Sequence, residues 1–203
     1  MSATARRRRR LLLTGFPPFV GRPTNPTLQL VEAIRSGQVN WPESLDVIAE
    51  VLPCEYESIE PRFMELVEQW QPEIVLAFGV GHSGPLLHLE QIGFNWDDSH
   101  VPDNAGVIRQ CVPIVATGPE SITASLDVNA IYCSLAEAGF DAILSESAGR
   151  FLCNHLLYFG LHYAQSIDSP YRMAFIHVRP LEHEQEFAML LRAVEHVLNG
   201  LAD

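Results

Sequence analysis

The stretch Phe140–Tyr163, "FDAILSESAGRFLCNHLLYFGLHY", decides the fold. Ala142–Ser145 is an apolar run of strand length, Glu146–Gly149 is a polar turn ending in glycine, and the rest has the length and composition of a helix. Strand, turn and helix in that order form one step of an α/β winding, and the step recurs on both sides. Leu11–Phe16 is a short apolar run, after which Asn25 and Pro26 read as the N-cap and first residue of a helix that Gly37 closes. Leu45–Pro53 alternates as a strand, and Phe63, Leu66, Val67 and Trp70 then make the inward stripe of a helix. Glu73–Gly79, "EIVLAFG", is the continuous apolar run of a central parallel strand. Leu126–Gly139 reads as a helix with Cys133 on its packed side, and Met173–Val178, "MAFIHV", as a strand of period two. Glu182–Gly200 closes the chain as an amphipathic helix with Phe187, Leu190, Leu191, Val194 and Leu198 inward. The expected fold is therefore α/β: one domain over residues 11–203, with an open, twisted, mostly parallel sheet and helices on both faces. Residues 1–10 are expected to form a basic disordered tail.

One segment breaks the alternation. Gly79–Gly106, "GVGHSGPLLHLEQIGFNWDDSHVPDNAG", holds five glycines and little periodicity beyond Leu87 to Gln91, and it reads as a long functional loop.

Composition removes several classes of function. Arg6–Arg10 supply five of the thirteen basic residues, which leaves eight against twenty-five acidic ones and a body charge near −17. Such a body repels phosphate backbones, so nucleic acid is not an expected partner. No eighteen-residue apolar run occurs, and Leu11–Leu13 is too short for a signal-peptide core, so no membrane partner is expected either. The chain contains no lysine, which excludes a Walker loop, a Schiff-base enzyme and a pyridoxal-phosphate enzyme together. Cys54, Cys111, Cys133 and Cys153 are irregularly spaced, without a C-x-x-C or H-E-x-x-H. Neither a metal nor a disulfide framework is expected, and reduced thiols in the cytoplasm fit best.

In open α/β sheets ligands gather beyond the carboxyl ends of the strands, where helix N-termini present free N–H groups. Cys153 falls there, in or near the first turn of a helix, where the macrodipole favours a thiolate. Cys54, Cys111 and Cys133 are read as ordinary packed thiols. His155 lies about 200° around the helix from Cys153 and so leaves the opposite face; it and His162 are read as structural. His177 closes the strand "MAFIHV" at the same sheet edge as Cys153, and its imidazole could deprotonate the thiol and later protonate a leaving amine. A third group is needed to orient that ring. Glu90, Asp97, Asp98 and Asp103 all qualify by position, and Glu90 stands out because it sits in apolar sequence, where an unpartnered carboxylate is costly. Phe16 and Phe19, rigidly presented by Pro17 and Pro18, could hold a flat apolar ligand.

These segments together resemble the pyroglutamyl peptidase I family, the cysteine peptidases that remove an N-terminal pyroglutamyl residue. "TGFPPFVGRPTNP" (14–26) is similar to its first strand and aromatic loop, "SESAGRFLCNHLLYFGLH" (145–162) to its nucleophile motif, "FIHVRPLEHEQ" (175–185) to its histidine strand, and 79–106 to its glutamate segment. The resemblance implies Cys153 as nucleophile, His177 as general base then acid, and Glu90 as the residue that orients it. It further implies Phe16 and Phe19 as the lining of the lactam pocket, with Asp103 and Asn25 as supporting residues. It implies no cofactor, a cytoplasmic enzyme, pyroglutamylated peptides as partners, and a homo-oligomer, dimer or tetramer. The chain departs from the family at Val20, where a glycine is usual, and at His88, where serine or threonine is usual. It departs again at Gly84, Gln91 and His100, where basic residues are usual. The thinned cationic surroundings leave a second reading open, a member of the same fold that binds pyroglutamyl or related lactam ligands without efficient cleavage.

Overall fold

The structure is a computed structural model, and it describes residues 7–81, 83–168 and 170–202. The chain runs β1 (Arg9–Gly15), α1 (Pro26–Arg35), β2 (Leu45–Val51), α2 (Tyr56–Trp70), β3 (Ile74–Val80), β4 (Leu87–Glu90), β5 (Ile92–Phe94), β6 (Ser121–Thr123), α3 (Val128–Glu137), β7 (Ala142–Ser145), α4 (Leu152–Ala164), β8 (Arg172–Val178) and α5 (Glu184–Gly200). Six strands form one sheet in the order β2-β1-β3-β8-β4-β7, and β5 pairs with β6 apart from it. Every neighbour in the main sheet is parallel except β4 against β8. The architecture is the mostly parallel α/β sheet read from the sequence.

The sheet separates two cores. On one side Leu11, Leu13, Ile74, Leu76, Phe78, Leu87, Leu89, Ile176 and Val178 pack with residues of α1, α3 and α5. On the other, Leu12, Val75, Ala77, Met173 and Phe175 pack with residues of α2 and α4. Strand side chains alternate between faces, so this division fixes where the polar strand residues go. His177 follows Phe175 onto the α4 side, His88 and Glu90 take that side because Leu87 and Leu89 take the other, and Gly79 faces α4 because Phe78 does not.

Local signals account for the helix ends. Asn25 caps α1, its side chain accepting from the Thr27 N–H at 3.0 Å with Pro26 at the first helical position, and Gly37 takes φ +75° just past the end.

Several expectations change. Gly79–Gly106 is not a loop throughout, because Leu87–Glu90 enters the main sheet between β8 and β7; its period-two pattern is short and flanked by glycines, which hid it. "MAFIHV" is buried on both faces, since β8 lies inside the sheet and its alternate residues serve the two cores. Helix α2 begins at Tyr56, with Pro61 inside it, and Trp70 ends half-exposed at the rim. Cys111 and Cys133 are exposed rather than packed. The basic segment is shorter than expected as a tail. Arg9 and Arg10 belong to β1 and pair with Leu45 and Asp46, Arg9 donates to the Leu201 carbonyl at 2.9 Å, and Arg7 meets Glu73 at 3.0 Å. Residues 1–6 of that tail lie outside the described residues.

Candidate active site

The site forms where β7 turns into α4. Gly149 takes φ +78°, a left-handed conformation that glycine adopts at little cost. It lets the chain double back from the sheet edge into the helix. Phe151 occupies the cap position with extended backbone and makes no capping side-chain bond. Cys153 is the second helical residue, half-buried, and the first-turn N–H groups around it have no intrahelical acceptors.

Two glycines at the end of β3 make room for the reacting groups. A Cβ on Gly79 would lie 2.8 Å from Cys153 Sγ and 2.8 Å from Phe175 Cζ. A Cβ on Gly81 would lie 2.9 Å from His177 Cβ. No side chain fits at either place, so thiol and imidazole approach over bare backbone.

His177 is 7% exposed and has a neighbour on two sides. Its Nδ1 meets Glu90 Oε1 at 2.7 Å, and on its other side the ring shares the cleft with Cys153, whose charge acts on it. Burial alone would lower the imidazole pKa. The negative charge of Cys153, with the hydrogen bond and charge of Glu90 behind, outweighs it and pushes His177 up to about 10. A proton held on His177 places a positive charge beside the Cys153 sulfur. Glu90 is 1% exposed, and its Oε2 has no hydrogen-bond partner among the described residues, so the ring bond is where its charge acts.

Cys54 gives the contrast. It lies beside Cys153, but burial, reinforced by the Cys153 charge, pushes its thiol up to about 12. A thiol held protonated is a poor nucleophile.

Two cavities meet at Cys153. One is an open cleft of about 670 Å³ whose walls include Phe19, Arg22, Glu90, Arg150, Phe151 and His177. The other, of about 10 Å³, lies among Phe16, Phe19, Asn25, Cys54, Phe151 and Leu152. It is apolar and closed in this conformation, with space for about one water. The loop carrying its phenyl rings is pinned from several directions. Phe16 N–H donates to Thr27 Oγ1, Asn25 Nδ2 to the Pro17 carbonyl and Asn104 Nδ2 to the Pro18 carbonyl, each at 3.0 Å.

The structure thus brings together Cys153, His177 and Glu90, with Phe16 and Phe19 beside them and Asn25 at the edge of the small pocket. Asp103 does not hydrogen-bond His177 but lies near Cys54, at the floor of the small pocket. Its carboxylate accepts from the N–H groups of Tyr56, Ala105 and Val107 at 2.8 to 2.9 Å, which ties the following loop to the start of α2. Asp97 is also turned away, toward His155, which is fully buried and bridged on both nitrogens: Nδ1 to Asp97 at 2.8 Å and Nε2 to Glu60 at 3.0 Å. Arg109 completes that cluster 3.2 Å from Asp97 and stacks over the Tyr56 ring at 4.6 Å. Among the positions where the sequence departs from the family, His100 is exposed and contacts Gln110, Gln91 donates its backbone N–H to the Ser145 carbonyl, and Gly84 takes φ +130°.

Sequence reasoning missed Gly79, Gly81, Phe151, Arg22, Arg150 and Asn154. Asn154 is fully buried and binds Phe94 N–H and carbonyl at 2.8 Å each, with Trp96 carbonyl at 3.1 Å, fastening β5 to α4. Only Phe151 carried a local signal, its place immediately before the first helical turn.

A cysteine in the first turn of an uncapped helix, beside an imidazole held by a buried carboxylate at the carboxyl edge of an open α/β sheet, is the arrangement of a cysteine hydrolase. Residues 9–187 match the family model described as pyroglutamyl peptidase, and the chain belongs to that family. The pyrrolidone-carboxylate peptidase of Vibrio vulnificus is 39% identical over 180 residues, spanning 89% of this chain and 82% of its own. That of Streptomyces coelicolor is 35% identical over 170 residues, 83% of this chain and 77% of its own. Among solved structures, the pyrrolidone carboxyl peptidase of Fervidobacterium islandicum superposes with a TM-score of 0.87 at 25% identity, over 96% of this chain and 98% of that one. A mutant of the Pyrococcus furiosus enzyme gives a TM-score of 0.85 at 26% identity, over 93% and 96%.

Proposed function

We propose that this protein is a cysteine peptidase that hydrolyses the amide bond following an N-terminal pyroglutamyl residue, with Cys153 as nucleophile, His177 as base and acid, and Glu90 as the residue that orients His177. The observation that carries this reading is the convergence of Cys153, His177 and Glu90 on one cleft, with Glu90 hydrogen-bonded to the His177 ring at 2.7 Å. The Cys153 thiolate adds to the scissile carbonyl, and the oxyanion so formed takes hydrogen bonds from first-turn N–H groups of α4. His177 gives its proton to the departing amine as the C–N bond breaks, leaving a pyroglutamyl thioester. Water, losing a proton to His177, then attacks the thioester and releases pyroglutamate, and the thiolate–imidazolium pair returns.

Phe16, Phe19 and Phe151 suit a flat uncharged ring. The small cavity among them holds about one water, so the ring enters only when Phe19 or Phe151 swings aside. Family membership and the complete catalytic line favour turnover over a binding-only role. The reading extends to a cytoplasmic setting, where thiols stay reduced, and to a homo-oligomer. No described helix is long and apolar enough to cross a membrane.

The test is fluorophore release from a pyroglutamyl aminocoumarin amide. Cysteine-dependent release is expected, and Cys153→Ala is expected to retain the fold and lose at least about a thousandfold in rate. Undiminished release by that variant, or none from folded native protein, overturns the assignment.

A further inference from the structure

The open cleft carries two arginines that the catalytic line does not use. Arg22 and Arg150 both line it alongside Cys153 and His177, and neither has an acidic partner among the described residues. Two acidic residues share the cleft, and both are engaged: Glu90 with His177, and Asp98 with the Cys111 N–H at 3.3 Å. In a chain of net charge −12 the cleft therefore presents two guanidiniums that form no ion pair among the described residues, with Asp98 the one carboxylate there not held by His177.

Their backbones are fixed beside the reaction. Phe19 and Arg22 exchange backbone hydrogen bonds at 3.1 and 2.8 Å, and the Arg150 carbonyl accepts from the Asp98 N–H at 3.0 Å. With the ring lodged among the phenyl groups and the scissile carbonyl at Cys153, the leaving residue faces the open cleft that both arginines line. Farther on, Arg22, Gly21 and Val80 are shared with a second groove of about 820 Å³ whose walls bear Glu32, Glu182 and Glu184. That groove disfavours a negative charge, so the cationic zone is confined to the residue next to the cut bond.

We infer that Arg22 and Arg150 form a carboxylate-recognising subsite that favours substrates with a negative charge on the residue immediately following the pyroglutamyl group. This rests on the peptidase reading above. The carboxylate can be an Asp or Glu side chain or the free α-carboxylate of a pyroglutamyl dipeptide. Guanidinium groups suit either because they offer paired N–H donors in the plane of the carboxylate.

The experiment compares kcat/KM at low ionic strength for pyroglutamyl-glutamate amide against its glutamine counterpart, and for pyroglutamyl-alanine against pyroglutamyl-alanine amide. The first pair reads the side-chain source and the second the α-carboxylate. At least one charged member is expected to exceed its neutral partner about fivefold, the scale of a partly exposed ion pair. The effect should lie mainly in KM and fade at about 1 M salt. In an Arg22→Ala, Arg150→Ala double variant the ratio should fall to about one, and the corresponding lysine variant should recover part of it. Equal values within both pairs for native protein overturn the inference. Affinities of the same peptides for Cys153→Ala protein separate the two failures. No turnover with a retained charge preference in binding sinks the peptidase reading alone, and equal affinities within both pairs sink the subsite.

Discussion

His177 shows how three neighbours set one residue's chemistry. Burial works against its charge, Cys153 and Glu90 work for it, and the latter prevail, raising its pKa from 6.5 to about 10. The protonated ring therefore persists through neutral pH. Its contribution to stability is complete below about 6.5 and is lost as pH rises through about 10. The rate should accordingly hold across the neutral range and fall on an alkaline limb near 10. A kcat/KM profile on a pyroglutamyl amide checks this, and a limb near 7 would mean that the ion pair does not form. The sequence disclosed this residue through position alone, at the end of an apolar strand. Glu90 was legible because a carboxylate within "LLHLEQIGF" needs a partner. Neither the missing partner of Glu90 Oε2 nor the exposure of Cys111 and Cys133 could be read in advance, since both depend on which surfaces other segments cover.

At the scale of elements, the site depends on how closely β3 and β8 lie beneath the start of α4. Gly79 is what permits the approach, and Gly79→Ala would drive a methyl into Cys153 Sγ and the Phe175 ring. The helix start must then lift or Cys153 must rotate away. A displacement of about 1 Å costs on the order of a hundredfold in rate. The variant is expected to unfold cooperatively but to lose that much kcat, as paired thermal melts and steady-state rates would reveal. Strand–helix alternation made most elements readable, because a parallel sheet buries continuous apolar runs such as "IVLAFGV". Strand β4 escaped because only four residues pair, flanked by glycines, and because it runs antiparallel to β8, outside the repeating strand–helix step. Close approaches like that at Gly79 join residues far apart in the chain, and no local pattern encodes them.

For the molecule as a whole, the cluster around His155 joins parts that the sheet does not. It ties α4 to α2 through Glu60 and to the segment after β5 through Asp97, which Arg109 reaches in turn. Burial lowers the His155 pKa, but its bonds to Asp97 and Glu60 raise it further, so the net shift is upward. The sign follows: the stabilisation is complete below about 6.5 and is lost as pH rises through the raised pKa, once the ring deprotonates. His155→Ala leaves the fully buried Asp97 with Arg109 alone and should cost about 3 to 5 kcal/mol. Urea unfolding at neutral pH measures that loss, and the gap between variant and native protein should narrow as pH rises. The sequence placed His155 away from the nucleophile, as helix geometry requires, but its partners come from α2 and from a segment with no periodicity to read.

The apolar pocket among Phe16, Phe19 and Phe151 has a consequence for the cell. An ordinary polypeptide begins with an ammonium group, and that cation would enter a pocket lined mostly by apolar side chains, with no carboxylate among them. The cost of stripping its water would fall on nearly every nascent or mature chain, and only a cyclised, uncharged end would escape it.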